Sequence, residues 1–196
     1  MVFDICEQIR AIGIVDWIGM LSGLLGVWWS IREKTAAWAA YIVCYAAYVY
    51  ISIDYGLRAF TALNLIFIVI SVYGWIQWKR GNASESELSH PTRTPLSQLT
   101  LWAGALSLTT WGIAYLLKRT GESELLYWDS AACAIALAAQ WFLSRKQIET
   151  WILWILSDLI YVGLFIHNQA WASAILFLAF IGLAVKGWVD WKAQLK

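Results

Sequence analysis

Seven stretches of mostly apolar residues follow one another along the chain, at roughly 14–31, 36–53, 59–78, 98–117, 127–143, 149–166 and 170–190. A helix that crosses a bilayer needs about 20 such residues, so the pattern predicts seven membrane-spanning helices. One polar interruption is long. Residues 81–98 contain Ser84, Glu85, Ser86, Glu87, His90, Pro91 and Pro95, a composition that cannot bury a core and reads as a loop.

The apolar pattern repeats itself. Residues 16–79 align with 129–192 at a constant offset of 113 and without a gap. The coincidences pair Asp16 with Asp129, Trp28 with Trp141, Arg32 with Arg145, Trp38 with Trp151 and Tyr48 with Tyr161. They end on Gly74-Trp75-x-x-Trp78-Lys79 and Gly187-Trp188-x-x-Trp191-Lys192. Chance apolar resemblance does not keep register through glycines, tryptophans and charges. The expected organisation is a three-helix repeat over 14–79, the polar loop 81–98, a linking helix over 98–118 and a second three-helix repeat over 127–192. Four crossings precede the fifth helix, so the copies share one orientation. The expected fold class is therefore an all-α integral membrane protein of three plus one plus three helices. Parallel repeats are related by an axis along the membrane normal, with a translocation path expected between them.

Composition fits this class: 61% of residues are hydrophobic and 14% charged, against about 25% charged in soluble domains. No secretory signal pattern opens the chain. Cys6, Cys44 and Cys133 are odd in number and widely spaced, giving neither a disulfide framework nor a metal site; they read as packing residues. No cofactor is implied, and no basic patch interleaved with aromatics points to nucleic acid. With the amino terminus outside, the inner side holds Arg32, Lys34, Lys79, Arg80, Arg93, Arg145, Lys146, Lys192 and Lys196. The outer side holds Arg10, Arg58, Lys118 and Arg119. The positive-inside rule favours amino terminus out and carboxyl terminus in.

Candidate chemistry centres on the sixth helix. Trp151, Trp154, Asp158, Tyr161 and Phe165 fall at helical spacing on one face. A carboxylate near mid-bilayer costs about 2.5–3.5 kcal/mol even on mild insertion scales, so Asp158 needs something to face. The offset maps this stripe onto Trp38, Tyr41, Tyr45 and Tyr48 of the second helix. Facing repeats would bring the two stripes to one aromatic cavity with a single carboxylate, suited to a flat cation. Packing glue for Asp158 and an aromatic helix seam are the plainer alternatives. Asn64 and Gln140 could bond a polar ligand edge or a backbone carbonyl. Asp129, in Trp128-Asp129-Ser130, is expected to cap the fifth helix. The tryptophans of the two Gly-Trp-x-x-Trp-Lys ends are expected to form an interfacial belt. His90 and His167 fall in expected loops, and no catalytic, nucleotide-binding or metal motif occurs; the chain does not read as an enzyme.

Trp128-Asp129-Ser130, the run from Ser144-Arg145-Lys146 through Glu149-Thr150-Trp151 to Trp154 and Asp158, and Tyr73-Gly74-Trp75-x-x-Trp78-Lys79 resemble the PnuC family of bacterial vitamin transporters. The resemblance implies the three-plus-one-plus-three architecture related to SWEET sugar transporters, a homotrimer, and the bacterial inner membrane. It also implies facilitated diffusion of a vitamin, nicotinamide riboside or thiamine, trapped afterwards by cytosolic phosphorylation. Carried over by position, Trp151, Trp154 and Asp158 are substrate contacts, with Asn64 where a polar amide commonly occurs. Thr150 stands where the family has Asn, and Ala37-Trp38-Ala39-Ala40-Tyr41 departs from its N-Y-x-x-G. Fewer amides shift the expectation toward thiamine. A SWEET-like sugar uniporter and a noncatalytic scaffold or receptor are the competing readings.

Overall fold

The computed structural model describes residues 7, 8, 10, 12–56, 58–83, 90–120 and 125–195. These include seven long helices: α1 Ile14–Ile31, α2 Ala36–Asp54, α3 Arg58–Ala83, α4 Leu96–Thr120, α5 Leu126–Ser144, α6 Glu149–His167 and α7 Trp171–Lys192. Their bounds follow the apolar pattern closely, with one difference. α3 continues to Ala83 and α4 begins at Leu96, directly after Pro95, so the polar loop is shorter than 81–98. Loss of apolarity marks where a helix leaves the bilayer, and a hydrogen-bonded backbone can continue beyond it in water. Cys6 and residues 84–89 of the loop lie outside the described residues.

Packing runs in a ring. α1 lies against α2, α2 against α3, α3 against α5, α5 against α6, α6 against α7, and α7 returns to α1. α4 stands outside the ring, mainly against α5. Six of the helices have the length and hydropathy of a membrane span. α5 does not, because it is the helix most enclosed by protein. Its Ser130, Gln140 and Ser144 are buried among alanines, and a helix that meets little lipid needs less apolar surface.

Features of the two copies recur at the same offset. Gly74 lies so close to the Trp38 ring that a Cβ there would sit 2.4 Å from it, and Gly187 is 2.6 Å from the Trp151 ring by the same measure. Trp38 meets Trp78 edge-on with centroids 5.3 Å apart, and Trp151 meets Trp191 edge-on at 5.2 Å. Left-handed backbone occurs at Glu33 (φ 53°) and at its counterpart Lys146 (φ 52°). It occurs again at Gly56 (φ 70°) and at its counterpart Gln169 (φ 57°). These are the turns that reverse the chain between helices, where a residue in the αL region is needed.

The Gly-Trp-x-x-Trp-Lys ends correct the expectation of an interfacial belt. Trp75 is 40% exposed, as a belt residue would be, but Trp78 and Trp191 are fully buried between the repeats. Trp78 Nε1 donates to the Leu143 carbonyl at 3.1 Å, and Trp191 Nε1 donates to the Ile31 carbonyl at 3.2 Å. The last carbonyls of a helix lack an intrahelical partner, and here an indole from the opposite repeat supplies one to α5 and to α1. Each repeat thus caps a helix of the other.

Candidate functional site

The ring encloses a cavity of about 1190 Å³. How α2 and α6 come to present their stripes to it is readable from their neighbours on α1 and α5. Gly19, Gly23 and Gly26 form a buried strip on α1 against Tyr48, Cys44 and Tyr41 of α2. A Cβ on Gly26 would stand 2.8 Å from the Tyr41 ring, so glycine there is what lets that ring lie against α1. The equivalent α5 positions are Ala132, Ala136 and Ala139, all buried. Opposite them α6 carries small hydroxyl residues: Ser157 donates to the Ala132 carbonyl at 3.0 Å and Thr150 to the Ala139 carbonyl at 2.8 Å. Larger side chains thus lie against glycine in one repeat, and small ones against alanine in the other.

Seven of the residues singled out from sequence line this one cavity: Tyr41, Tyr45, Asn64, Trp151, Trp154, Asp158 and Tyr161. Tyr48 and Phe165, the outer members of the two stripes, line it as well. Trp38 does not; it is fully buried behind the cavity under Gly74. Gln140 does not either. It is buried in the seam between α3 and α5, where its Nε2 donates to Ser71 Oγ at 3.2 Å. Asn64 donates to the Phe60 carbonyl of its own helix at 2.8 Å. Thr150 and Ala37, whose departures from the family pattern shifted the expected substrate, are fully buried away from the cavity. They cannot read a substrate, and the shift toward thiamine loses that support.

The walls are largely aromatic. Tyr45 stacks on Tyr41 at 6.1 Å and on Phe67 at 4.8 Å. On the facing side Tyr161 and Phe165 pack on Phe177, with centroids 5.3 and 5.0 Å apart. Phe67, Phe177 and Phe180 escaped the sequence reading because α3 and α7 show no aromatic stripe; the ring closure alone brings them in. Cys44 and Cys133, read as packing residues, are free, buried and also on the cavity wall. Cys133 Sγ lies 3.1 Å from Tyr161 Oη.

The polar groups have one sign. Asp158 is 4% exposed and lines the cavity, and among the described residues no side chain or backbone group hydrogen-bonds to it. Asp16 and Asp129, a matched pair of the repeat, line it toward the end where the exposed His167, Asn168 and Gln169 lie. Asp129 was expected to cap α5. Instead it sits within the first turn, the helix begins after Leu125, and no side-chain bond caps it. His167, expected in a loop, is the last residue of α6. No Lys or Arg is among the described lining residues. The matching of Asp16 to Asp129 at the repeat offset was the signal that could have assigned both to the cavity.

At its other end the cavity stops at Tyr41, Trp151 and Ala184. Beyond lie the buried Trp38, Trp78 and Trp191 and then the turns that carry Arg32, Lys34, Arg145 and Lys146. A ring of membrane-spanning helices around a central cavity, exposed toward one side and closed toward the other, is the build of a membrane transporter rather than of an enzyme. The chain belongs to the family described as nicotinamide mononucleotide transporter, whose family model matches residues 13–193. The nicotinamide riboside transporter PnuC of Escherichia coli is 21% identical, over 90% of this chain and 84% of that one. The riboflavin/roseoflavin transporter RibM of Streptomyces davaonensis is 24% identical, over 90% of this chain and 83% of that one. The crystal structure of the vitamin B3 transporter PnuC superposes with a TM-score of 0.71 at 18% identity, covering 90% of this chain and 79% of that chain.

Proposed function

We propose that the protein carries a small, flat, cationic vitamin by facilitated diffusion, with nicotinamide riboside the first candidate and thiamine the second. One observation carries the reading: Asp158, a buried carboxylate without a hydrogen-bond partner among the described residues, lines an aromatic cavity. A pyridinium or thiazolium ring offers a delocalised charge for the carboxylate and a face for Trp154 and Tyr45. Cation–π contact in a desolvated site is worth about 2 kcal/mol. Relatives named for nicotinamide riboside and for riboflavin support a vitamin, and a neutral isoalloxazine or sugar would leave Asp158 without a counter-charge. Three lining carboxylates disfavour a phosphate monoester, so the dephosphorylated vitamin is the cargo.

Membership of a bacterial transporter family and the distribution of Lys and Arg support an inner-membrane protein with its amino terminus outside. In that orientation the cavity faces outward. No ATP-binding motif occurs in the sequence, so net uptake follows the substrate gradient, maintained by a cytosolic kinase that traps the product. Homotrimeric assembly belongs to the same proposal, carried over from the resemblance. The test is uptake of labelled nicotinamide riboside, thiamine, riboflavin and glucose into liposomes without an ion gradient. The reading expects the cations to equilibrate with the lumen and not to exceed the external concentration. Preference for the neutral compounds, or accumulation driven by a proton or sodium gradient, would overturn it.

A further inference from the structure

Behind the closed end of the cavity two residues of opposite charge meet at equivalent positions of the repeat. Lys146 Nζ lies 2.8 Å from Glu33 Oε2, and the two stand 113 residues apart, the repeat offset itself. Residues that are each other's counterpart can touch only where the pseudo-symmetry axis passes, so this ion pair sits on the axis. Lys146 is 1% exposed and its ammonium lies 5.1 Å from the Trp78 ring centre. Trp78 and Trp191 meet across the interface at 6.3 Å. Pair and indoles together stand between the cavity and the basic end of the molecule, so anything that crosses must part them.

The two turns that carry the pair are not held alike. Lys146 belongs to the turn between α5 and α6, and the last residues of the polar loop are stitched to that turn. Thr92 N donates to the Lys146 carbonyl at 3.0 Å and Ile148 N to the Thr92 carbonyl at 2.9 Å. Thr94 adds its backbone N–H and its hydroxyl to Glu149 Oε2 at 3.1 and 2.7 Å. The turn between α1 and α2 has no such strap among the described residues. Its backbone bonds are local, from Glu33 N to the Ser30 carbonyl and from Lys34 N to the Trp29 carbonyl. Across the axis it is held by the Glu33 carboxylate and by the Trp191 indole on the Ile31 carbonyl.

We propose that the Glu33–Lys146 pair is the latch of an inner gate, and that the gate opens by the α1–α2 hairpin moving away from an α5–α6 hairpin held fixed by the Thr92–Thr94 strap. A buried ion pair suits a latch, because the Coulomb attraction is largely offset by the desolvation of both charges; separation returns both to water at little net cost. The indole N–H groups of Trp38 and Trp151 are buried without acceptors in the closed state, and hydration on opening would satisfy them. Both terms bring the closed and open arrangements toward equal free energy, as alternating access requires.

The proposal rests on the transport reading, and the experiment separates the two. In a background with Cys6→Ser, Cys44→Ala and Cys133→Ala, whose nicotinamide riboside and thiamine flux is measured first, two double variants are compared in liposomes. Glu33→Cys with Lys146→Cys is joined by a short bis-methanethiosulfonate linker. Thr92→Cys with Gln147→Cys, a bridge-paired position of the strap, is oxidised to a disulfide. The expected result is that the first link reduces flux to that of empty liposomes while substrate still quenches tryptophan fluorescence, and that reduction restores flux. The second link should leave flux at the background level. Flux that survives the first link overturns the latch, and flux lost with the second overturns the fixed strap. Absent flux in the unsubstituted protein overturns the transport reading itself and the gate with it.

Discussion

Replacing Asp158 by Asn keeps the size of the side chain and removes only its charge, which isolates the electrostatic part of substrate recognition. Two unit charges 4 Å apart attract by about 4 kcal/mol at an effective dielectric constant of 20. The cation must shed water to reach a residue that is 4% exposed, so only part of this survives. Neither quaternary ring nitrogen carries a proton to donate, so the contact is an ion pair, worth about 1.5–3 kcal/mol at the lower part of the range for close charge pairs. The expected loss is therefore roughly 10- to 150-fold in affinity for a cationic ligand. Expression should not fall, because a mid-membrane carboxylate is costlier to insert than an amide, and no protein partner among the described residues is orphaned by the change. The assay is quenching of tryptophan fluorescence in purified protein by thiamine and by its uncharged thiophene isostere deazathiamine, alongside nicotinamide riboside and its neutral dihydro form. The variant should discriminate against the charged member of each pair and bind the neutral member nearly as the parent does. If both members weaken by the same factor, or neither does, the carboxylate does not meet the ligand charge and the reasoning fails.

Three further outcomes follow from the packing. Trp154→Ala should weaken binding of either cation by roughly 5- to 30-fold, the equivalent of about 1–2 kcal/mol of stacking and cation–π contact; unchanged titrations would remove Trp154 from the contact surface. Gly74→Ala forces a Cβ to 2.4 Å from the Trp38 ring, and such overpacking costs about 1–3 kcal/mol. It should lower the thermal midpoint in detergent, whereas Gly104→Ala, with open space around it, should not; equal midpoints would refute the close approach. Trp191→Ala empties a fully buried site and removes the bond to the Ile31 carbonyl, for a loss of about 3–5 kcal/mol. Trp188→Ala, on the partly exposed side, should be much milder, and thermal unfolding of the two variants side by side would expose an error in that ranking.

Much of this molecule is local information, and local information is legible in sequence. Mostly apolar stretches separated by short polar breaks allowed the seven helices to be bounded to within a few residues. Exact register between the copies made the duplication visible, and helical spacing alone aligned Trp151, Trp154, Asp158 and Tyr161 on one face. What spacing could not reveal was which side of each stripe faces the cavity and which faces a neighbouring helix. Trp38 occupies the same position as Trp151, yet only Trp151 reaches the cavity wall, because the contents of the facing helices differ between the copies. Trp78 and Trp191 look in sequence like belt residues beside a basic helix end. Only the assembled ring shows a helix-end carbonyl of the other repeat accepting from each indole. Gln140 and Thr150 are polar residues of membrane helices whose partners lie on α3 and α5, contacts that no one-dimensional pattern encodes. The meeting of Glu33 with Lys146 likewise exists only because two distant turns converge on the axis between the repeats. The bilayer acts on one segment at a time and writes itself into sequence; the cavity and its closure are properties of the assembled helices together.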